Sequence, residues 1–248
     1  FMRDFSPRNA GMFWEPGAFA GYLILALVFL AFVKNKISRD QYITYLFILV
    51  AALISTLSTT GYIALLFIPF LHYNFEQTAY SHRTIIFRFL VVFYIILPLI
   101  ILSAFYAYKT LPFLEEKIEH EIFIAEVQEG RWYRGRVGSL VFDMEYIKQR
   151  PLSGWGLHSN TRYALHPGME SSEGMGNGFA DFIAKFGVIA FLIWLYAVFL
   201  SFREAANGRV IYAALVCAII IILLQGECFL GFPLFLGLAF IRRPNEMT

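Results

Sequence analysis

Arg131, Arg134 and Arg136 place three guanidinium groups within six residues of this sequence. A guanidinium is a planar fork that matches two phosphate oxygens and keeps its charge at any working pH. Arg136 also stands just before a predicted helix start, where free backbone N–H groups favour an anion. Set beside long apolar runs, such a cluster suits a lipid-linked phosphate or pyrophosphate. The other reading is interfacial arginines that touch lipid head groups or pair with Glu126 and Glu129. Arg8, three residues before Gly11 and close to Glu15-Pro16-Gly17, offers a second anion clamp or a simple span anchor. Glu15 beside Trp14 is a candidate acid or base, and equally a charge placed to suit a helix N-terminus. His158 and His166 follow the arginines, and either could take a proton from a sugar hydroxyl; Glu170 and Glu173 are the carboxylate alternatives. Arg162, Trp155 and Asn177 join Arg131 and Arg134 as candidate substrate contacts. Glu227 is an ionisable group at the outer end of two apolar runs, a functional candidate by position. There is no HExxH, no Cys pair and no acidic pair of DxD type, so neither a metal nor another cofactor is expected.

The elements that hold these residues are mostly hydrocarbon. Of 248 residues, 58% are hydrophobic, 18% aromatic and 15% charged, with mean hydropathy +0.61. A soluble domain carries about 25% charge. Repeated apolar runs near the length of a bilayer crossing make this an all-α, polytopic helical membrane protein. The two cysteines make no disulfide framework. Spans are expected at about 18–33, 42–57, 62–71, 89–108, 179–202, 210–224 and 228–241, the fourth kinked at Pro98. The segments 34–40, 72–88, 203–209 and 242–248 hold nine of the twenty Lys and Arg against four acids. Placing them on the cytoplasmic side gives seven spans that alternate without conflict. The N-terminal segment, the Ser58–Gly61 turn, the long loop and Gln225–Glu227 then all face outward. The chain divides into 1–108 (outer segment and spans one to four), 109–178 (a large periplasmic loop) and 179–248 (spans five to seven and a tail). It opens on Phe1 with a polar stretch and no signal peptide, and reads as the C-terminal part of a longer chain.

The long loop has its own pattern. Residues 112–128 are acidic early and apolar at helical spacing later, which predicts a surface-lying helix. Residues 137–149 predict a second amphipathic helix with Leu140, Met144 and Ile147 on its apolar stripe, ended by Arg150-Pro151. Pro151-Leu152-Ser153-Gly154-Trp155-Gly156 is a turn whose glycines expose backbone N–H groups. Residues 161–178 carry no periodicity.

Four stretches, taken in order, resemble the O-antigen polymerase and O-antigen ligase superfamily. They are Arg8-Asn9-Ala10-Gly11-Met12-Phe13-Trp14-Glu15-Pro16-Gly17, Leu57-Ser58-Thr59-Thr60-Gly61-Tyr62, Gly135-Arg136 followed by the Pro151–Gly156 turn, and Asn177-Gly178-Phe179 followed by Phe186-Gly187. The resemblance covers about residues 8–200. It implies a metal-independent inverting glycosyltransferase of the bacterial inner membrane. The expected donor is an undecaprenyl-pyrophosphate-linked oligosaccharide, and the acceptor a sugar hydroxyl at the outer face. It implies that Arg8 and Arg136 hold the pyrophosphate, whose neutralisation lowers the barrier. The ligases of the family carry a histidine directly before the Asn; here that residue is Gly176, which leans the reading to a repeat-unit polymerase over a ligase. The base then falls to His166, Glu173 or Glu15. Membrane lipid and a chain-length regulator protein are the expected partners, with no nucleic acid. A transporter of the lipid-linked glycan is the reading from another class, although no internal repeat supports it.

Overall fold

The computed structural model describes residues 8–74, 136–158 and 176–241. Every regular element among them is helical. Helix α1 (Pro16–Val33) starts on a proline, whose fixed φ suits the first turn and whose missing N–H costs nothing there. It buries residues on all its sides, as a helix apolar all round must in an interior. A 3-10 turn, Lys34–Lys36, leads to α2 (Arg39–Ser55). A reciprocal cap sets the start of α2. The Ser38 hydroxyl accepts from the Gln41 N–H at 3.2 Å, and the Gln41 side chain accepts from the Ser38 N–H at 3.1 Å. The helix therefore begins three residues before the first strongly apolar position, Tyr42.

The expected return at 62–71 is two short helices, α3 (Thr59–Leu65) and α4 (Ile68–Asn74). Ser58 caps the first. Pro69 supplies no N–H to the preceding turn, and Leu66 and Phe67 tighten into bonds from their N–H groups to Ile63 and Ala64. Helix α5 is Arg136–Gln149, α6 is Gly178–Ala205, and α7 is Val210–Leu224. The last apolar piece is not one straight span. It consists of a 3-10 turn Phe229–Gly231, α8 (Pro233–Gly237) and a further turn Leu238–Phe240, because Gly231, Pro233 and Gly237 break the ladder every few residues.

α1 packs on α2, α3 and α4; α7 packs on α6, α3 and α4; and α5 lies on α6. Small residues set the close approaches. A Cβ on Gly21 would enter the Phe229 ring, and one on Gly61 would come within 2.9 Å of the Ala20 Cβ. Where lipid replaces water, such close van der Waals packing, rather than expulsion of water, holds helices together. The exposed faces of α2 and α6 are apolar, with Ile43, Phe47 and Ile48 on one and Leu192, Ile193 and Tyr196 on the other. Such faces suit contact with lipid.

Two helices, counting the turn after α1, are long and apolar enough to cross a membrane: Pro16–Lys36 and Gly178–Ala205. Thr59–His72 and Val210–Leu224 are shorter apolar helices. Seven spans are thus more than the described helices establish. The expected span at 89–108 and the helix at 112–128 lie outside the described residues.

Candidate functional site

Three polar breaks meet at one end of the bundle. The Ser58–Gly61 turn carries Thr60, whose hydroxyl would lie 2.8 Å from a Cβ on Gly226. Gly178 in turn abuts the Glu227 backbone so closely that any side chain there would overlap the Glu227 carbonyl. Asn177 ties the last two together. Its Nδ2 donates to the Gln225 side chain at 3.1 Å, while its Oδ1 caps α6 by accepting from the Ala180 N–H at 3.0 Å. The N-terminal segment joins the same end. The Asn9 N–H donates to the Ser55 carbonyl at 3.0 Å and its side chain donates to the Ser55 hydroxyl at 2.9 Å. This fixes Arg8, whose charge acts on the Tyr62 hydroxyl and whose Nε is buried.

Glu15 stands at the N-cap of α1 without a side-chain cap bond, and its neighbour Trp14 stacks on Phe232 at 4.8 Å. The opposite end of the bundle gathers cations. Lys34 lies 5.1 Å over the Tyr42 ring, and Arg209 acts on Tyr212, which packs on Phe32 at the end of α1. His72 closes that end, with its Nε2 3.0 Å from the Leu27 carbonyl and its Nδ1 2.5 Å from the Tyr42 hydroxyl.

The Pro151–Gly156 turn uses its N–H groups in a way the sequence does not reveal. Inside α6, Gly187 adopts φ +80°, ψ 165°, which breaks the helical ladder. The break frees the Ala184 and Lys185 carbonyls and the Val188 N–H. The turn takes all three: Trp155 N–H donates to Ala184 at 2.9 Å, Gly156 N–H donates to Lys185 at 2.8 Å, and Val188 N–H donates to the Pro151 carbonyl at 2.8 Å. These three backbone groups of the kink are thereby paired, which matters most where water is scarce. Gly154 and Gly187 make the approach possible, since a Cβ on either would overlap the facing backbone. Trp155 is pinned as well. Its indole N–H donates to the Tyr146 carbonyl at 2.9 Å, and Arg150 lies 4.3 Å over its ring.

Arg136 opens α5, which is held against the first part of α6. The face α5 buries follows the expected Leu140–Met144–Ile147 stripe only in part: Ile147 packs on the core and Leu140 is half-buried. Met144 is exposed, Phe142 and Tyr146 are buried against Ala184, and Ser139 and Asp143 are buried as well. Asp143, fully buried, escaped the sequence reading because a lone acid in an amphipathic helix looks like its solvated side. His158 is exposed. Arg131, Arg134, Arg162, His166, Glu170 and Glu173 lie outside the described residues. Of the candidate set, the structure brings Arg8, Glu15 and Asn177 to one end of the bundle. It gives Trp155 and Asn177 firm structural partners.

Among the described residues, a helical bundle with apolar outer faces on α2 and α6 and two helices long enough to cross a bilayer fits a helical membrane protein. A family model described as O-antigen ligase matches residues 44–195, and the chain belongs to that family. Members of the family are membrane glycosyltransferase-like enzymes. No curated protein and no solved structure matches the chain.

Proposed function

We propose that the protein is a polysaccharide repeat-unit polymerase. It transfers an undecaprenyl-pyrophosphate-linked glycan to an acceptor sugar hydroxyl with inversion and without a metal. It works in the bacterial inner membrane with seven spans and its long loop toward the periplasm. The observation that carries the reading is the gathering of Arg8, Asn177 and Glu227 at the end of the bundle away from Lys34 and Arg209. Arg8 supplies an anion contact at that end, which transfer from a lipid diphosphate requires. Arg136 and Arg8 hold the departing diphosphate, and Arg131, Arg134 and Arg162 add to the field around it. In this role a guanidinium neutralises charge that grows as the bond breaks.

Arg136→Ala and Arg136→Lys should each lower chain extension by about 10²-fold or more, the loss typical of one preorganised contact to developing charge. Membrane insertion should be unchanged. Full activity in Arg136→Lys would contradict two-point phosphate binding. Chelators should leave the rate unaltered, and strict dependence on a divalent ion would point to another mechanism. A ligase joining glycan to lipid A core is the second reading, and the description of the matching family favours it. Gly176 before Asn177 favours the polymerase, because the ligases carry a histidine there. The lipopolysaccharide banding of a deletion strain separates the two. A single repeat unit on core marks lost polymerisation, and bare core marks lost ligation.

A further inference from the structure

Helix α6 marks where a membrane boundary falls. Its residues 186–202 carry no charge, with Lys185 before them and Arg203 after. At 1.5 Å per residue that stretch covers about 26 Å, close to the hydrocarbon thickness of a bilayer. Lys185 pairs with Asp181 on the same helix, so the charged first turns of α6 stand outside the hydrocarbon. One edge of the apolar layer therefore lies at residues 185–187. That is where the Pro151–Gly156 turn is docked.

The turn is held by its backbone and leaves large apolar side chains outside. Leu152 is 60% exposed, and Leu157, the residue after the turn, is 73% exposed. Phe186 and Ile189, on either side of the kink, are exposed too, and further exposed apolar residues follow along α6 at Leu192, Ile193 and Tyr196. Arg150 adds a positive charge at the same level. It lies over the Trp155 ring, which is itself pinned to Tyr146, so the guanidinium is held in place while the residue stays exposed. No carboxylate pairs with it among the described residues. A fixed cation, an aromatic ring and exposed leucines at the edge of the hydrocarbon complement a lipid phosphate and its acyl chains. Arg136 stands at the other end of α5, about 21 Å away along the axis. One diphosphate cannot touch both, so Arg150 meets a different phosphate.

We propose that residues 150–157 form an interfacial anchor. Leu152 and Leu157 enter the acyl region of the nearer leaflet, and Arg150 binds the phosphate of a membrane phospholipid. The anchor seats the α6 kink at the edge of the bilayer, and α5 with it. It goes beyond the glycosyl-transfer reading and does not depend on it.

The test uses the full chain in nanodiscs of phosphatidylethanolamine and phosphatidylglycerol, with Cys217 and Cys228 replaced by serine. Spin labels are placed at Leu152→Cys, at Leu157→Cys and, in the exposed loop after α6, at Asn207→Cys. The two turn labels should collide more with oxygen, which concentrates in lipid, than with a water-soluble nickel chelate. The label at Asn207→Cys should show the reverse. Turn labels that match Asn207→Cys place the leucines in water and overturn the anchor. Labels shielded from both reagents mean that protein covers them, which overturns it as well. Thermal unfolding tests Arg150. Arg150→Gln should lower the midpoint by about 2–4 °C more in the nanodiscs than in a maltoside detergent, which carries no phosphate. Arg150→Lys should recover part of that difference. Equal lowering in both media leaves Arg150 as a partner of Trp155 alone and overturns the phosphate contact. The nanodiscs hold no polyprenyl diphosphate, so a difference seen there belongs to the bilayer's own lipid. The spin-label measurement keeps Arg150 intact and decides the anchor even where an Arg150 variant fails to fold.

Discussion

Asn177 shows how one side chain can serve two elements. Its oxygen caps α6 while its amide reaches Gln225 after α7. Asn177→Asp keeps the cap acceptor and loses the donor, whereas Asn177→Ala loses both. The alanine variant should cost about 1 kcal/mol for the cap alone, plus a further contribution from the lost amide bond. Thermal unfolding in detergent should rank parent, Asn177→Asp and Asn177→Ala in that order. Trp155→Phe removes the N–H donated to Tyr146 and part of the ring under Arg150; about 1 kcal/mol is expected for the hydrogen bond, with a further loss from the smaller ring. Asn177 and Trp155 entered as candidate substrate contacts from their loop position. Their bonds to Gln225 and Tyr146 could not be read from spacing, since each partner comes from elsewhere in the fold.

Helix α6 and the Pro151–Gly156 turn behave as one element. The kink at Gly187 would be a defect in an isolated helix, because three backbone groups lose their partners. The turn supplies those partners, so the defect is a socket. Three glycines grade the prediction. Gly156 has φ +88° and open space around its missing Cβ, so Gly156→Ala should cost only the strain of a left-handed residue, about 1–2 kcal/mol. Gly154→Ala and Gly187→Ala add overlap with facing backbone and should cost clearly more, with earlier protease cleavage near the turn as the readout. The glycine pattern was visible in the sequence. What it served was not, because exposed N–H groups in the Pro151–Gly156 turn do not name their acceptors.

Among the described residues, the polar breaks lie at one end of the bundle and Lys34 and Arg209 at the other. Asn9, Thr60, Asn177 and Gln225 mark one end, and Lys34, Tyr42, His72 and Arg209 mark the other. With Cys217 and Cys228 replaced by serine, single cysteines at Asn9 and Gln225 should react with an impermeant thiol reagent from one side of the membrane, and those at Lys36 and Arg209 from the other. Labelling of all four from the same side would break the arrangement. The packing itself depends on close approach, and Gly21→Leu should prevent α1 from seating against Phe229 and lower the yield of folded protein.

Hydropathy was enough to place α7 at Val210–Leu224, to find most of α1, and to mark the polar breaks at Ser58–Gly61 and Gln225–Glu227. These signals are local: an apolar run of sufficient length, or the polar break that ends it, acts within a few helical turns. The start of α2 was expected at about 42 and lies three residues earlier, where Ser38 and Gln41 cap each other. Only the tertiary structure decided which face of α5 is buried, what the Pro151–Gly156 turn binds, and that Glu227 points an unpaired oxygen inward. Each of those depends on a neighbour far along the chain. A helix with two half-apolar faces is chosen between them by its partner, and a carboxylate is solvated or stranded according to what closes over it.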